Sequence, residues 1–188
     1  MTDTNENLIG TPLRLNIGGT TPLAGWKILN IQPGEGVDYI GSCTDLGQFK
    51  TASVDEVYAS HIFEHLSYVN ELLDTLKEVQ RILKTGGILR SSVPDFEILC
   101  KMYLYPGLSV EQRFFVMNMV FGGQQDPYDF HKVGLSWELM SSYLQQAGFS
   151  SIKRVSEFGI FENDCSSIKV GGQLISLNIE AIKLPPLV

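Results

Sequence analysis

The chain has 188 residues, 44% of them hydrophobic, and a formal net charge of −7. That length and apolar content suffice for one domain with a packed core. The acidic balance excludes a broad nucleic-acid footprint, which needs basic surface to displace counterions. No run approaches the length of a membrane span, and the opening MTDTNENL is polar rather than signal-like, so a cytoplasmic protein is expected. Cys43, Cys100 and Cys165 show no C-x-x-C spacing and read as reduced thiols. A single domain over 1–188 is expected, with 1–12 and 184–188 as loose ends.

In chain order, Leu13, Leu15 and Ile17 alternate with polar residues and lead into Gly18-Gly19-Thr20. This predicts a first strand ending in a glycine turn, where backbone can approach a ligand without an intervening Cβ. Pro22 and Gly25 leave little room for a helix, so a short loop is expected to replace the first crossover helix. Residues 26–31 (WKILNI) read as the second strand and 37–40 as the third, followed by the loop SCTDL at 42–46.

The most informative stretch is 53–95. Val54, Val57 and Ala59 predict a buried strand, and Leu72, Leu73, Leu76, Val79, Ile82 and Leu83 repeat at helical spacing. Ser67 or Asn70 can cap that helix, and Lys84 followed by Gly86 and Gly87 reads as its stop. A strand through Ile88, Leu89, Ser91 and Val93 follows, closed by Pro94. Strand, helix, strand is a βαβ unit, which implies a parallel sheet covered by helices.

Beyond it, helices are expected over 96–105 and 110–120, as part of a helical lid insertion spanning 96–135. The insertion ends in a polar stretch, GGQQDPYDFHKVG at 122–134, of the kind that carries binding residues. Ser136 caps a further helix that Gly148 stops, and a strand begins near Ile152. Residues 174–182 (LISLNIEAI) alternate as the last strand, which pairs antiparallel because no helix precedes it.

The text DEVYASHIFEH, then ILKTGGILRSSVPD, then QQAGF resembles the class I S-adenosylmethionine (SAM) dependent methyltransferases of the small bacterial type 11 kind, with Thr85 where that family usually has proline. The resemblance implies an α/β, Rossmann-like fold: a mostly parallel seven-stranded sheet of order 3-2-1-4-5-7-6, its last strand antiparallel, with an abbreviated first helix. It also implies SAM as cofactor. Carried onto this chain, the cofactor residues are Asn16, Gly18, Gly19 and Thr20 at the first turn, and Asn30 and Ile31 after the second strand. Thr44, Asp45 and Leu46 follow the third strand, with Asp45 toward the adenine amine and Leu46 toward the ring face. Ser60 and His61 follow the fourth, near the methionine end. Three positions depart from the family pattern: Asn16 and Asn30 stand where acids are usual, and Thr20 where a glycine is. For Asn30, holding the ribose and capping the turn before Pro33 are both open readings.

His61-Ile62-Phe63-Glu64-His65 is a literal H-x-x-E-H. As a zinc-hydrolase motif it requires both histidines on one helical face. Here the motif directly follows a strand, so the histidines straddle a turn, and no metal is expected. The implied function is methyl transfer from SAM to a small-molecule O- or N-nucleophile by in-line attack. His131, then His61, are candidates for the general base, and Tyr128 and Asp129 for substrate contacts. A degenerate, non-catalytic methyltransferase-like protein is the alternative. Partners are expected to be a small molecule and a second copy in a homodimer, with neither nucleic acid nor membrane.

Overall fold

The computed structural model describes residues 12–162 and 164–185. Of the loose ends expected at 1–12 and 184–188, residues 1–11 and 186–188 lie outside the described residues, as does Asn163.

Seven strands form one sheet: β1 (Arg14–Ile17), β2 (Trp26–Asn30), β3 (Tyr39–Ile40), β4 (Val54–Ser60), β5 (Leu83–Pro94), β6 (Ser151–Val155) and β9 (Ser176–Ile182). Their order is β3-β2-β1-β4-β5-β9-β6, and a separate hairpin pairs β7 (Lys169–Val170) with β8 (Gln173–Leu174). The β1–β2, β1–β4, β2–β3 and β4–β5 pairs are parallel, whereas β9 runs antiparallel to both β5 and β6. This is the predicted order, with β9 in the place of the seventh strand.

Four helices are present among the described residues: α1 (Glu71–Ile82), α2 (Phe96–Tyr103), α3 (Val110–Phe121) and α4 (Trp137–Gln146). Their caps are those the sequence offers. Asn70 accepts from the Glu71 N–H, and Ser136 from that of Leu139. Ser109 and Gln112 form a reciprocal capping box at α3. No helix lies between β1 and β2, where Gly25 turns with φ 82°, so the expected loop replaces it.

Two boundaries differ from expectation. The Gly86-Gly87 pair lies inside β5 rather than before it, because Leu83 already pairs with Val54, and a register shift between Val54 and Glu56 absorbs the extra residues. The stop for α1 comes instead from Lys183, whose Nζ donates to the carbonyls of Gln80 and Leu83, each at 2.8 Å. The last strand begins at Ser176, since Leu174 belongs to the β7–β8 hairpin.

The main core lies on one face of the sheet. Leu15, Ile17, Leu29, Val57, Leu89 and Ile179 pack beneath the apolar stripe of α1 and against Met140 and Leu144 of α4. The opposite face carries Asn16, Ile28, Tyr58, Ser92 and Asn178, all buried but mostly polar. The segment 156–175, between β6 and β9, crosses that face. Phe161 packs edge-on to Trp26 and tilted against Tyr58, with ring centroids 5.2 and 4.9 Å away. Asn178 donates to the carbonyls of Ser156 and Ser166, each at 2.8 Å, and the Tyr58 hydroxyl donates to Asp164. Toward the other end of the same face runs a charge ladder. Arg14 lies 3.6 Å from Glu56, Glu56 contacts Arg90, and Arg90 and Lys153 lie 2.8 and 2.6 Å from Glu180.

Candidate active site

A cleft of about 410 Å³ opens at the carboxyl ends of β1 and β2, where open α/β sheets bind ligands. Gly18, Asn30, Ile31 and the 42–44 loop form one side. Ile62, His65 and Leu66 of the turn after β4 form the floor, and Tyr128, Phe130 and Lys132 of the 122–134 loop form the roof. Thus Gly18, Asn30, Ile31, Thr44 and Tyr128 all stand on the cleft wall.

The glycine turn is shaped by its protein neighbours. Gly18 has φ 78°, and a Cβ there would lie 1.9 Å from Ile62 Cδ1; one on Gly19 would lie 2.2 Å from the Asn16 amide. Asn30 binds the turn from the other side. Its Nδ2 donates to the carbonyls of Gly18 and Gly19 at 3.3 and 3.0 Å, and its Oδ1 accepts from the Gln32 N–H at 2.9 Å. The Gln32 contact is that of a residue capping the turn before Pro33, and the Gly18 and Gly19 contacts add a second role that neither open reading held. That role explains the departure from an acid, since a carboxylate has no hydrogen to offer two carbonyls.

Other residues fall elsewhere. Leu46 is 0% exposed in the main core and presents nothing to a ring in the cleft, which corrects its expected role. The Asp45 carboxylate accepts from the Gly47 N–H at 3.1 Å, closing a local turn, and the cleft is lined by Ser42, Cys43 and Thr44 instead. Burial pushes the Cys43 thiol up to about 11, so it lines the wall as a neutral group. Asn16, Gly19, Thr20 and Ser60 line a second recess of about 180 Å³, on the far side of the glycine turn, with Tyr58 and Asp164. Asp129 serves its own loop, its carboxylate accepting from the Gln125 N–H at 3.3 Å.

Of the three histidines, His61 and His65 lie on the turn after β4 and His131 on the roof loop. His61 has φ 53°, an uncommon conformation for a non-glycine residue, at the point where β4 turns. Ser176 Oγ gives its only hydrogen to the Cys165 carbonyl at 2.6 Å, so His61 Nε2, 3.1 Å away, must donate to it. His61 Nδ1 then turns its lone pair toward Glu64 Oε1 at 3.4 Å. Burial pushes His61 down to about 4 and Glu64 up to about 8, so both are neutral near pH 7. With both ring nitrogens facing partners, His61 has no nitrogen free for an acceptor in the cleft. His65 and His131 pack edge to face with centroids 4.8 Å apart, and desolvation lowers the pKa of each.

Sequence reasoning missed Ile62, His65, Leu66, Glu71 and Lys132 as cleft residues. The Lys132 Nζ lies 3.2 Å from Glu71 and fastens the roof to the start of α1. Lys132 carried a signal in its place in the polar 122–134 stretch and His65 in the H-x-x-E-H motif; the others read as turn and helix residues.

A methyltransferase domain family model matches residues 26–90. No curated protein sequence is significantly similar to the chain. Among solved structures, it resembles a SAM-dependent methyltransferase from Thermotoga maritima, described as a possible histamine N-methyltransferase. The two are 20% identical with a TM-score of 0.55, over 94% of this chain and 84% of that one. A SAM-dependent methyltransferase from Archaeoglobus fulgidus is 16% identical with a TM-score of 0.59, over 93% and 87% of the two chains. The chain shares the fold of these SAM-dependent methyltransferases, and the family-model match spans β2 to β5 within it.

Proposed function

We propose that the chain transfers the methyl group of SAM to a small molecule carrying an oxygen or nitrogen nucleophile. The observation that carries this reading is the 410 Å³ cleft, which joins the glycine turn, the end of β2, the loop after β3 and the turn after β4 in one space. Its lining fits an elongated amphipathic ligand. Ile31, Ile62 and Leu66 offer apolar wall, while Gln32, Ser42, Thr44 and Lys132 offer polar contacts.

When bound, the cofactor supplies a methyl group already activated on a sulfonium, so the protein contributes chiefly orientation. Ile31, Ser42, Cys43 and Thr44 would hold its nucleoside part and the Gly18 turn its amino-acid part. Tyr128, Phe130 and Lys132 close the cleft over it and exclude water. The acceptor is placed beneath the same 122–134 roof, where Tyr128 is 53% exposed and available for contact.

The test is thermal unfolding with and without SAM. At a hundredfold excess over the dissociation constant, linkage adds about 2.7 kcal/mol. For a domain of this length that raises the melting temperature by about 5 to 10 °C. Ile31→Lys should abolish the rise while leaving the unliganded protein nearly as stable, because Ile31 is 42% exposed on the wall. A melting curve unmoved by millimolar SAM or its demethylated product would overturn the reading. It would favour the non-catalytic alternative, which the occupied hydrogen bonds of Asn30 already suit.

A further inference from the structure

Beside the cleft lies a cluster that joins His65 of its floor, the candidate base His131 and Glu64. Glu64 is 1% exposed, and apart from His61 Nδ1, which stands 3.4 Å from Oε1, neither carboxylate oxygen has a polar partner among the described residues. Leaving such a group unmatched in the interior is costly. One ligand atom each from Glu64, His65 and His131 lies within 4.8 Å of the other two. The two rings are held alike: His65 Nδ1 lies 3.2 Å from the Phe130 carbonyl, and His131 Nδ1 lies 3.1 Å from that of Met119. A carbonyl only accepts, so each Nδ1 carries the hydrogen and each Nε2 keeps its lone pair. Metal-binding histidines are oriented in this way, with one nitrogen donating to the protein and the other left for the ion.

We propose that Glu64, His65 and His131 bind a divalent transition-metal ion of the zinc type. Two imidazoles and one carboxylate suit such an ion, whereas magnesium and calcium prefer all-oxygen sites. Donors around tetrahedral zinc at about 2.1 Å stand about 3.4 Å apart, so modest side-chain rotation closes the set. The H-x-x-E-H motif therefore contributes only its last two residues. His61 faces Ser176, and His131 from the roof loop takes the third place. The Lys132 and Val133 N–H groups already donate to the Glu64 carbonyl, at 2.7 and 3.3 Å, so the ion would reinforce the join between roof and floor. Three protein donors leave a fourth position for water or a ligand atom, and His65 is shared with the cleft wall.

The test needs no methyl acceptor and does not depend on SAM binding. The full chain, stripped with chelator, is titrated with Zn²⁺ alone by calorimetry, and with Co²⁺ alone by visible absorption. The expected result is one saturable site per chain and the spectrum of four-coordinate Co²⁺. His131→Ala should weaken binding by at least about 100-fold, Glu64→Gln should do likewise, and His61→Asn should leave it within about threefold. No saturable Zn²⁺ binding would overturn the proposal, as would binding that His131→Ala leaves intact or that only His61→Asn removes. Should Glu64→Gln fail to fold, the His131→Ala titration and the wild-type Co²⁺ spectrum decide the matter, because His131 sits on a loop.

Discussion

On one face of the sheet, Leu15, Ile17, Val57 and Leu89 meet two amphipathic helices, α1 and α4; on the other, Tyr58, Asn178 and Ser176 meet an irregular segment, residues 156–175. The first face is held by area removed from water, which is non-directional and tolerant of detail. The second is held by placed hydrogen bonds, stacked rings and a charge ladder, each of which requires its own partner. The irregular segment lies where the chain has dispensed with a helix between β1 and β2. Replacing a helix by a segment of this kind costs apolar area but brings Asp164 and Cys165 to the rim of the second recess, beside the glycine turn.

The largest expected effect is on the helical face. Leu76 is 0% exposed at the middle of α1, so Leu76→Ala loses its burial and leaves a cavity, at about 3 to 4 kcal/mol. Urea unfolding should show this as a lower midpoint with unchanged slope. A cost below about 1 kcal/mol would mean that this face is not the dominant store of stability.

The same contrast explains what was legible in the sequence. The helical face announces itself by period: the leucines of α1 recur at helical spacing and β4 and β5 flank them, while the full sheet order came from the family resemblance. The polar face has no period. Tyr58 bonds Asp164 across 106 residues, and His61 meets Ser176 across 115, pairings that no local pattern encodes. In the candidate site, the glycine turn, Ile31 and Thr44 were carried over by the family resemblance, and the structure brings them to one cleft because the strands that precede them end at one edge of the sheet. Leu46 was misplaced because a loop leucine next to a ligand and one turned into the core look identical in sequence. The Glu64–His65–His131 grouping was hidden because its third member arrives from the roof loop.

Asn30 gives the next test, of intermediate size. Restoring the family's carboxylate with Asn30→Asp would set a charge against the Gly18 and Gly19 carbonyls in place of two donated hydrogen bonds. The expected outcome is a loss of about 1 to 3 kcal/mol and a smaller SAM-induced shift, both read from melting curves. A more stable variant with a larger shift would show that the turn can release Asn30 to the cofactor, and that the polar face is more pliable than argued.

Tyr58→Phe removes one hydroxyl and leaves Asp164 without its long-range donor, at about 1 kcal/mol. The location of the effect matters more than its size. Amide hydrogen exchange should quicken through 157–168 while the amides of α1 keep their protection, because the two faces open as separate units. Uniform quickening in both would show that the irregular segment and the helical core unfold together.

The smallest effect lies at the charge ladder. Burial alone would raise the Glu180 carboxyl, but hydrogen bonds from Lys153 and Arg90 outweigh it and hold the group below its usual value. A carboxyl whose pKa is depressed by folding contributes stability that is complete above its unfolded pKa, about 4.3, and is lost as pH falls through the lower folded value. Other groups titrate in the same range, among them His61 at about 4, so the wild-type acid curve alone does not isolate it. The difference between wild type and Glu180→Gln does. It should be about 1 kcal/mol near pH 7, shrink with added salt, and vanish once pH falls below the folded pKa. A difference that persists undiminished in strong acid would show that Glu180 acts through packing rather than charge. The polar face would then be held by the same physics as the helical one.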